Sequence, residues 1–226
     1  MAKPKQNKSV KRILLVDDHP MIRQGLARLI NEDPKLVVAG EAGTCVDALR
    51  FVAKEKPDLA IIDLSLPDRD GLSLLKELLA LHPDLSVLIL SMHDETIYAE
   101  RIIRAGGRGY IMKNKSSEQV MKAIHHVLAG EIYLSPAMSQ SILSRLSPAK
   151  REDNLAAVDN LSDRELQVYR LIGQGFKCSE IANRLHLSPK TIETHSNNIR
   201  NKLNLNDANE LRRRAIQWSS GEKTFS

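Results

Sequence analysis

The chain has 226 residues, 42% of them hydrophobic, enough for one large core or two small ones; Cys45 and Cys178 lack metal-ligand spacing, which argues against a disulfide framework or a zinc site. Behind the basic segment Met1–Arg12 the apolar run is only Ile13–Val16, too short for a signal peptide or a membrane span, so a cytoplasmic protein without a membrane partner is expected. The net charge of +5 is uneven: Leu161–Ser226 holds eleven Lys and Arg against seven Asp and Glu, while residues 13–160 are net acidic, a balance that suits nucleic acid or a solvated surface equally well.

Short apolar runs alternate with longer amphipathic ones from Lys11 to Leu134. The runs at Arg12–Asp17, Leu36–Glu41, Asp58–Asp63, Leu85–Ser91 and Gly109–Met112 read as buried strands. Helical spacing joins Ile22, Leu26, Leu29 and Ile30; Val46, Leu49 and Val52; Leu72, Leu75, Leu78 and Leu79; and Val120, Ile124 and Val127, the last group behind a cap at Ser116 or Ser117. Five βα units in succession predict an α/β doubly wound five-stranded parallel sheet over residues 11–134, with its functional crevice beyond the carboxyl ends of the strands. Residues 135–157 read as a linker with room for one short helix. Residues 158–220 then predict an all-α, four-helix domain over Ser162–Gly173, Cys178–Leu185, Pro189–Asn204 and Asp207–Ser219, with Ser162, Ser179, Ser188 and Asp207 at or near caps and Glu165 completing a capping box.

Asp17 and Asp18 end the first strand and Asp63 ends the third, and in a sheet of this order those ends are neighbours. Three converging carboxylates repel one another unless a hard cation joins them, and Mg²⁺ with retained waters is the natural guest. Ser91 and Lys113 end the fourth and fifth strands, placing a hydroxyl and an ammonium at the same rim, where they would stabilise charge on a transferring phosphoryl group with Asp63 as nucleophile. Singly, each of these residues is more often a turn cap or a solvated charge; together on four strand ends they favour the functional reading.

Asp17-Asp18, Asp63, Pro67, Gly71, Ser91 and Lys113 resemble the motifs of a CheY-like receiver domain. The resemblance implies that Asp63 is the phosphoacceptor, that the backbone carbonyl of Ser65 joins Asp17, Asp18 and Asp63 around Mg²⁺, and that Tyr110 is the switch aromatic acting with Ser91. Asparagine follows Lys113 where many receivers have proline held cis, and a cis bond there would cost about 2.5–4 kcal/mol, so the bond geometry is left open.

In the second segment, Ile181, Ala182 and Leu185 mark the buried face of one helix, His186–Pro189 a turn, and Ile192, Ile199 and Leu203 the buried face of the next, which Ser188 caps and Pro189 opens. This is a helix-turn-helix pattern, for which a plain helical hairpin is the competing reading. Leu161–Glu165, Ser179–Leu185, Ser188–His195 and Lys202-Leu203 resemble the LuxR-type domain of NarL/FixJ response regulators. That resemblance implies a recognition helix at Pro189–Asn204, with Glu193, Thr194 and Asn197 toward bases and Lys190, Thr191 and Lys202 toward phosphates. Leu211, Ala215 and Trp218 share a face of the last helix, which suits dimer contacts and packing on its own domain equally.

The implied function is a two-component response regulator rather than an enzyme. The resemblance implies that a sensor histidine kinase phosphorylates Asp63 and that this controls binding of a homodimer to double-stranded DNA and hence transcription; RNA polymerase is a further candidate partner. Three alternatives compete less well. An aspartyl-phosphate hydrolase of the haloacid-dehalogenase type needs Asp-x-Asp on the first strand, where Asp17-Asp18-His19 stands. A small-molecule sensor domain would be richer in aromatics than 4%. A vestigial receiver is opposed by the complete Asp, Ser and Lys set.

Overall fold

A computed structural model describes residues 10–93, 95–146, 158, 160–185 and 187–222, with two compact units, Met1–Leu146 and Ser147–Ser226. In the first, the strands β1 (Lys11–Val16), β2 (Leu36–Ala42), β3 (Leu59–Ile62), β4 (Ser86–Ser91) and β5 (Gly109–Met112) form one sheet in the order β2-β1-β3-β4-β5, every pair parallel. Between and after them run α1 (Pro20–Asn31), α2 (Cys45–Lys54), α3 (Gly71–Leu81), α4 (Glu95–Arg104), α5 (Ser117–Leu128) and α6 (Pro136–Leu146). The central strands are apolar at successive positions because both faces are covered. Ile13, Leu15, Ile61 and Leu88 pack with Ile30 of α1 and with Val120, Ile124 and Val127 of α5. Alternate residues such as Leu14, Val16, Ile62 and Ile89 are equally buried and point to the opposite face, toward α2, α3 and α4. Each such side chain contributes about 1.5–3 kcal/mol by leaving water.

Local chemistry sets where the helices start. Pro20 opens α1; Thr44 accepts from the Asp47 N–H (3.1 Å) at α2; Asp70 accepts from the Leu72 N–H (3.0 Å) at α3. Ser116 and Gln119 form a reciprocal capping box on α5. Gly71 meets a different demand: a Cβ there would lie 2.3 Å from the Asp63 carbonyl oxygen, so only glycine lets α3 begin this close to the end of β3.

Two features differ from the sequence reading. The apolar face of α4 is hard to read from sequence, because Glu95, Thr96, Glu100 and Arg101 interleave with Ile97, Tyr98 and Ile102, which it buries. The expected linker divides: residues 136–146 form α6, which packs on α4 within the first unit and buries Met138, while residues 147–157 lie outside the described residues.

The second unit comprises α7 (Asp163–Gly173), α8 (Cys178–Arg184), α9 (Pro189–Lys202) and α10 (Ala208–Glu222). The Ser162–Glu165 capping box forms as expected, and Ser188 accepts from the Thr191 N–H at 3.1 Å. Ser179 does not cap α8; Glu180 reaches back to the Lys177 N–H instead, at 2.7 Å. α9 closes with Asn204 at a left-handed φ of 53°, while the Leu205 N–H bonds the Arg200 carbonyl at 2.9 Å. Ile181, Ala182, Ile192, Ile199 and Leu203 are buried as the pattern predicts, and His186 of the expected turn lies outside the described residues. Leu211 and Ala215 are buried and Trp218 packs at a tilt against Tyr169 with centroids 5.4 Å apart, so this face of α10 packs on its own domain. No helix among the described residues is long and apolar enough to cross a membrane.

Candidate functional site

Strand register assembles the site. Val16 stands opposite Ile62, so the next residues, Asp17 and Asp63, leave the sheet side by side, with the Asp63 N–H bonded to the Val16 carbonyl at 2.8 Å. Ser91 stands opposite Met112, and the Lys113 N–H bonds the Ser91 carbonyl at 2.8 Å. Lys113 therefore turns back over the strand ends, and its Nζ lies 2.6 Å from Asp17 Oδ2 and 2.7 Å from Asp63 Oδ2. All three side chains are at most 5% exposed.

Burial raises the Asp63 carboxyl above its ordinary range, and the hydrogen bond and charge of Lys113 oppose that rise without cancelling it. For Lys113, burial alone would favour the neutral amine. The hydrogen bonds and charges of Asp17 and Asp63 outweigh it and hold the ammonium above its ordinary range, so the lysine stays protonated.

Asp18 and His19 complete one wall. His19 Nδ1 lies 3.2 Å from Asp17 Oδ1 and 2.6 Å from Asp18 Oδ1, the latter without hydrogen-bonding geometry, so the buried Asp18 Oδ1 has no hydrogen-bond partner among the described residues. Ligand atoms of Asp17, Asp18, His19 and Asp63 all lie within 4.8 Å of one another. An orphaned carboxylate oxygen beside two further carboxylates suits a hard divalent cation, and the donor set therefore fits Mg²⁺.

The opposite wall is held by hydrogen bonds that meet at His93. Ser65 donates its N–H to Asp63 Oδ1 (3.2 Å), and its Oγ pairs with His93 Nε2 (2.8 Å). The fully buried Ser91 accepts from the His93 N–H at 3.3 Å, and the fully buried Tyr110 donates its hydroxyl to the His93 carbonyl at 2.7 Å. The Lys113–Asn114 bond is trans. The sequence reading brought Asp17, Asp18, Asp63, Ser65, Ser91, Tyr110 and Lys113 to one place, and the structure does the same. It missed His19 and His93. Their adjacency to Asp18 and Ser91 was the available signal, but the direction of a loop side chain depends on backbone course.

In the second unit, α9 turns Lys190, Glu193, Thr194 and Asn197 to solvent, one or two turns apart along one stripe, with Thr191 half-buried. Lys190 pairs with Glu193 (3.3 Å), the Thr194 hydroxyl bonds the Lys190 carbonyl (3.0 Å), and Asn197 Oδ1 accepts from Arg200 (2.7 Å). Lys202 departs from this stripe: its Nζ lies 2.7 Å from Glu165 Oε2, which clamps the end of α9 to the start of α7. Burial raises the Glu165 carboxyl, but the hydrogen bonds from Lys202 and Ser162 outweigh that and hold it below its ordinary value.

A parallel five-stranded sheet with a lysine across its carboxylate pair, carried on one chain with a helix-turn-helix unit, defines a receiver-type regulator. The family description "Response regulator receiver domain" matches residues 13–125, and "Bacterial regulatory proteins, luxR family" matches residues 159–215. The oxygen regulatory protein NreC of Staphylococcus carnosus is 35% identical over 204 residues, covering 88% of this chain and 94% of NreC. The response regulator GacA of Pseudomonas aeruginosa is 32% identical, covering 91% and 95%. A solved structure of two RcsB dimers bound to two parallel DNAs is 26% identical with a TM-score of 0.56, covering 90% and 97%. The chain belongs to the NarL/FixJ family of two-component response regulators, with a receiver domain and a LuxR-type helix-turn-helix domain, and is a regulator of transcription.

Proposed function

We propose that Asp63 accepts a phosphoryl group from a phosphohistidine of a sensor histidine kinase, and that this controls DNA binding by the second unit. An Asp63 carboxylate oxygen attacks phosphorus, the P–N bond to the donor imidazole breaks, and the imidazole takes up a proton from solvent. Water later attacks the acyl phosphate, releasing inorganic phosphate and restoring the carboxylate, so the chemistry is self-phosphorylation and slow self-dephosphorylation. The observation that carries the reading is the Lys113 ammonium, buried between Asp17 and Asp63 at 2.6 and 2.7 Å with the buried Ser91 on the adjoining strand end. Lys113 keeps the Asp63 carboxyl from rising further, and it is placed to follow the transferred oxygens. The Ser91 hydroxyl supplies a second donor. Asp17, Asp18, Asp63 and the Ser65 carbonyl would hold Mg²⁺, with His19 beside them. That ion would supply positive charge, in addition to that of Lys113, for the charge that develops on the phosphoryl oxygens.

When Ser91 moves toward the phosphoryl group it carries His93 with it, and with His93 the hydrogen bond that holds Tyr110 inward. On the output side, α9 enters the major groove of DNA, with Glu193, Thr194 and Asn197 toward bases and Lys190 and Thr191 toward phosphates. Lys202 serves α9 first as a clamp, because a phosphate would have to draw its ammonium away from Glu165. The phosphorylated protein acts in the cytoplasm as a homodimer on paired half-sites, with RNA polymerase as a candidate partner; the RcsB dimers bound to DNA support the dimer reading.

The test is retention of random duplexes by the purified protein with and without acetyl phosphate and Mg²⁺, alongside Asp63→Asn. Sequence-selective retention that strengthens only when Asp63 can be phosphorylated supports the switch. Retention unaffected by phosphate and by the substitution would mean that the receiver is vestigial.

A further inference from the structure

The segment that leaves the sheet is fastened to the start of α4, four residues after Ser91 at the end of β4. Ile132, Tyr133 and Leu134 run beside the free edge of β5: Tyr133 donates its N–H to the Arg108 carbonyl (3.0 Å), and the Tyr110 N–H donates to the Tyr133 carbonyl (3.0 Å). The approach is close enough that a Cβ on Gly109 would lie 2.9 Å from the Tyr133 oxygen. Two residues on, the Ser135 N–H donates to Glu95 Oε1 at 2.8 Å, and Ser135 Oγ accepts from the Met138 N–H at 3.1 Å, setting the start of α6. Glu95 is the first residue of α4, is 9% exposed, and follows Ser91 and His93 at alternate positions of the chain.

We infer that Glu95 is a positioning residue that couples the Asp63 pocket to α6: its hydrogen bond to the Ser135 N–H holds α6 against α4 in the unphosphorylated chain and is given up when Ser91 moves. The inference rests on Asp63 being the phosphoacceptor. Its physical basis is a difference in anchoring. Tyr133 is tied by two backbone hydrogen bonds to Arg108, just before β5, and to Tyr110 within it, and stays with the sheet, whereas Glu95 belongs to the helix that follows Ser91. The relative displacement therefore falls on the bond between Glu95 and Ser135. A carboxylate acceptor makes that bond stronger than a neutral one, so losing it is enough to change how firmly the first turn of α6 is held. Tyr110 sits at the crossing of both paths, its hydroxyl on His93 and its N–H on Tyr133, so the switch aromatic reports on the same displacement.

The test is amide hydrogen exchange of peptides spanning residues 136–146 in the full chain, with and without acetyl phosphate and Mg²⁺, for the wild type, Glu95→Ala and Glu95→Gln. Intact-mass analysis counts phosphoryl groups on each. In the wild type, phosphorylation should quicken exchange by at least about tenfold, the factor expected for one charge-assisted hydrogen bond. Glu95→Ala should already exchange at that rate without phosphate and gain nothing further, while accepting one phosphoryl group like the wild type. Glu95→Gln, whose amide oxygen still accepts from the Ser135 N–H but without charge, should lie between the wild type and Glu95→Ala in protection and still quicken on phosphorylation. The coupling is overturned if Glu95→Ala is as protected as the wild type, if the two variants behave alike, or if Glu95→Ala is loosened yet still quickens by the wild-type factor. A wild type that takes up no phosphoryl group removes the pocket reading and the coupling together; one that does, with α6 indifferent to Glu95, removes the coupling alone.

Discussion

Lys113 and Lys202 both end in ion pairs with nearly buried carboxylates, yet they serve different ends. Lys113 is 5% exposed and lies between two carboxylates on adjacent strand ends. Lys202 is 41% exposed and pairs with one carboxylate, Glu165, which is also engaged by the Ser162 N–H in a capping box. A cation shared between two acidic groups in a crevice suits the phosphoryl transfer proposed for Asp63, since a third anionic group can take its place among them. A cation on a carboxylate already committed to a helix start is scaffolding, and it fixes the angle of α9 on α7. Burial, the number of partners and the partners' other duties separate the two, whereas the sequence shows only a lysine near the end of an element in each case.

The sharpest break of the comparison is Asp63→Asn, which should abolish phosphoryl incorporation from acetyl phosphate, read by intact mass, and leave the second unit untouched. Next, Lys113→Met should destabilise the metal-free first unit by about 3 kcal/mol, because it leaves buried carboxylates uncompensated, and Mg²⁺ should restore part of that loss. Urea unfolding with and without Mg²⁺ measures both, and equal loss in either condition would rule out a shared charge balance. In the second unit, Asn197→Ala should cost about 2 kcal/mol on a selected duplex and relax preference at one base position, checked by competition among duplexes varied at each position.

Glu165→Gln should cost only about 1 kcal/mol, discounted because Lys202 is partly exposed, and its signature is pH dependence. Folding depresses the Glu165 carboxyl, so its contribution is fully present above its ordinary value of 4.5 and is lost as pH falls through the depressed one. Acid unfolding of the second unit should therefore be less steep in the variant than in the wild type. The smallest effect belongs to Lys190→Ala, which should reduce the salt slope of DNA binding by about one counterion while leaving base preference unchanged.

Much of the site was legible because parallel sheets obey a simple rule: residues that end neighbouring strands meet. Asp17, Asp63, Ser91 and Lys113 each follow an apolar run of three or four residues, so their convergence follows once the strand order is guessed. Caps were legible where the accepting side chain and the donating N–H are three residues apart, as at Ser162 and Ser188. The misses share a cause. His19 and His93 sit in loops whose course fixes side-chain direction, and α4 hides its apolar face among charges. The pairing of Tyr133 with β5 depends on an edge that local pattern does not reveal.

The sequence by itself determined the periodicities, and with them the five strands, the two separate cores and the identity of the groups at each strand end, because burial against water acts residue by residue along the chain. Tertiary structure alone decided which charges pair. It joined Lys113 to Asp17 and Asp63, Lys202 to Glu165, and Glu95 to the Ser135 N–H across 40 residues of chain. Such pairs form between groups distant in sequence, and their strength depends on distance and burial, which exist only once the chain has folded.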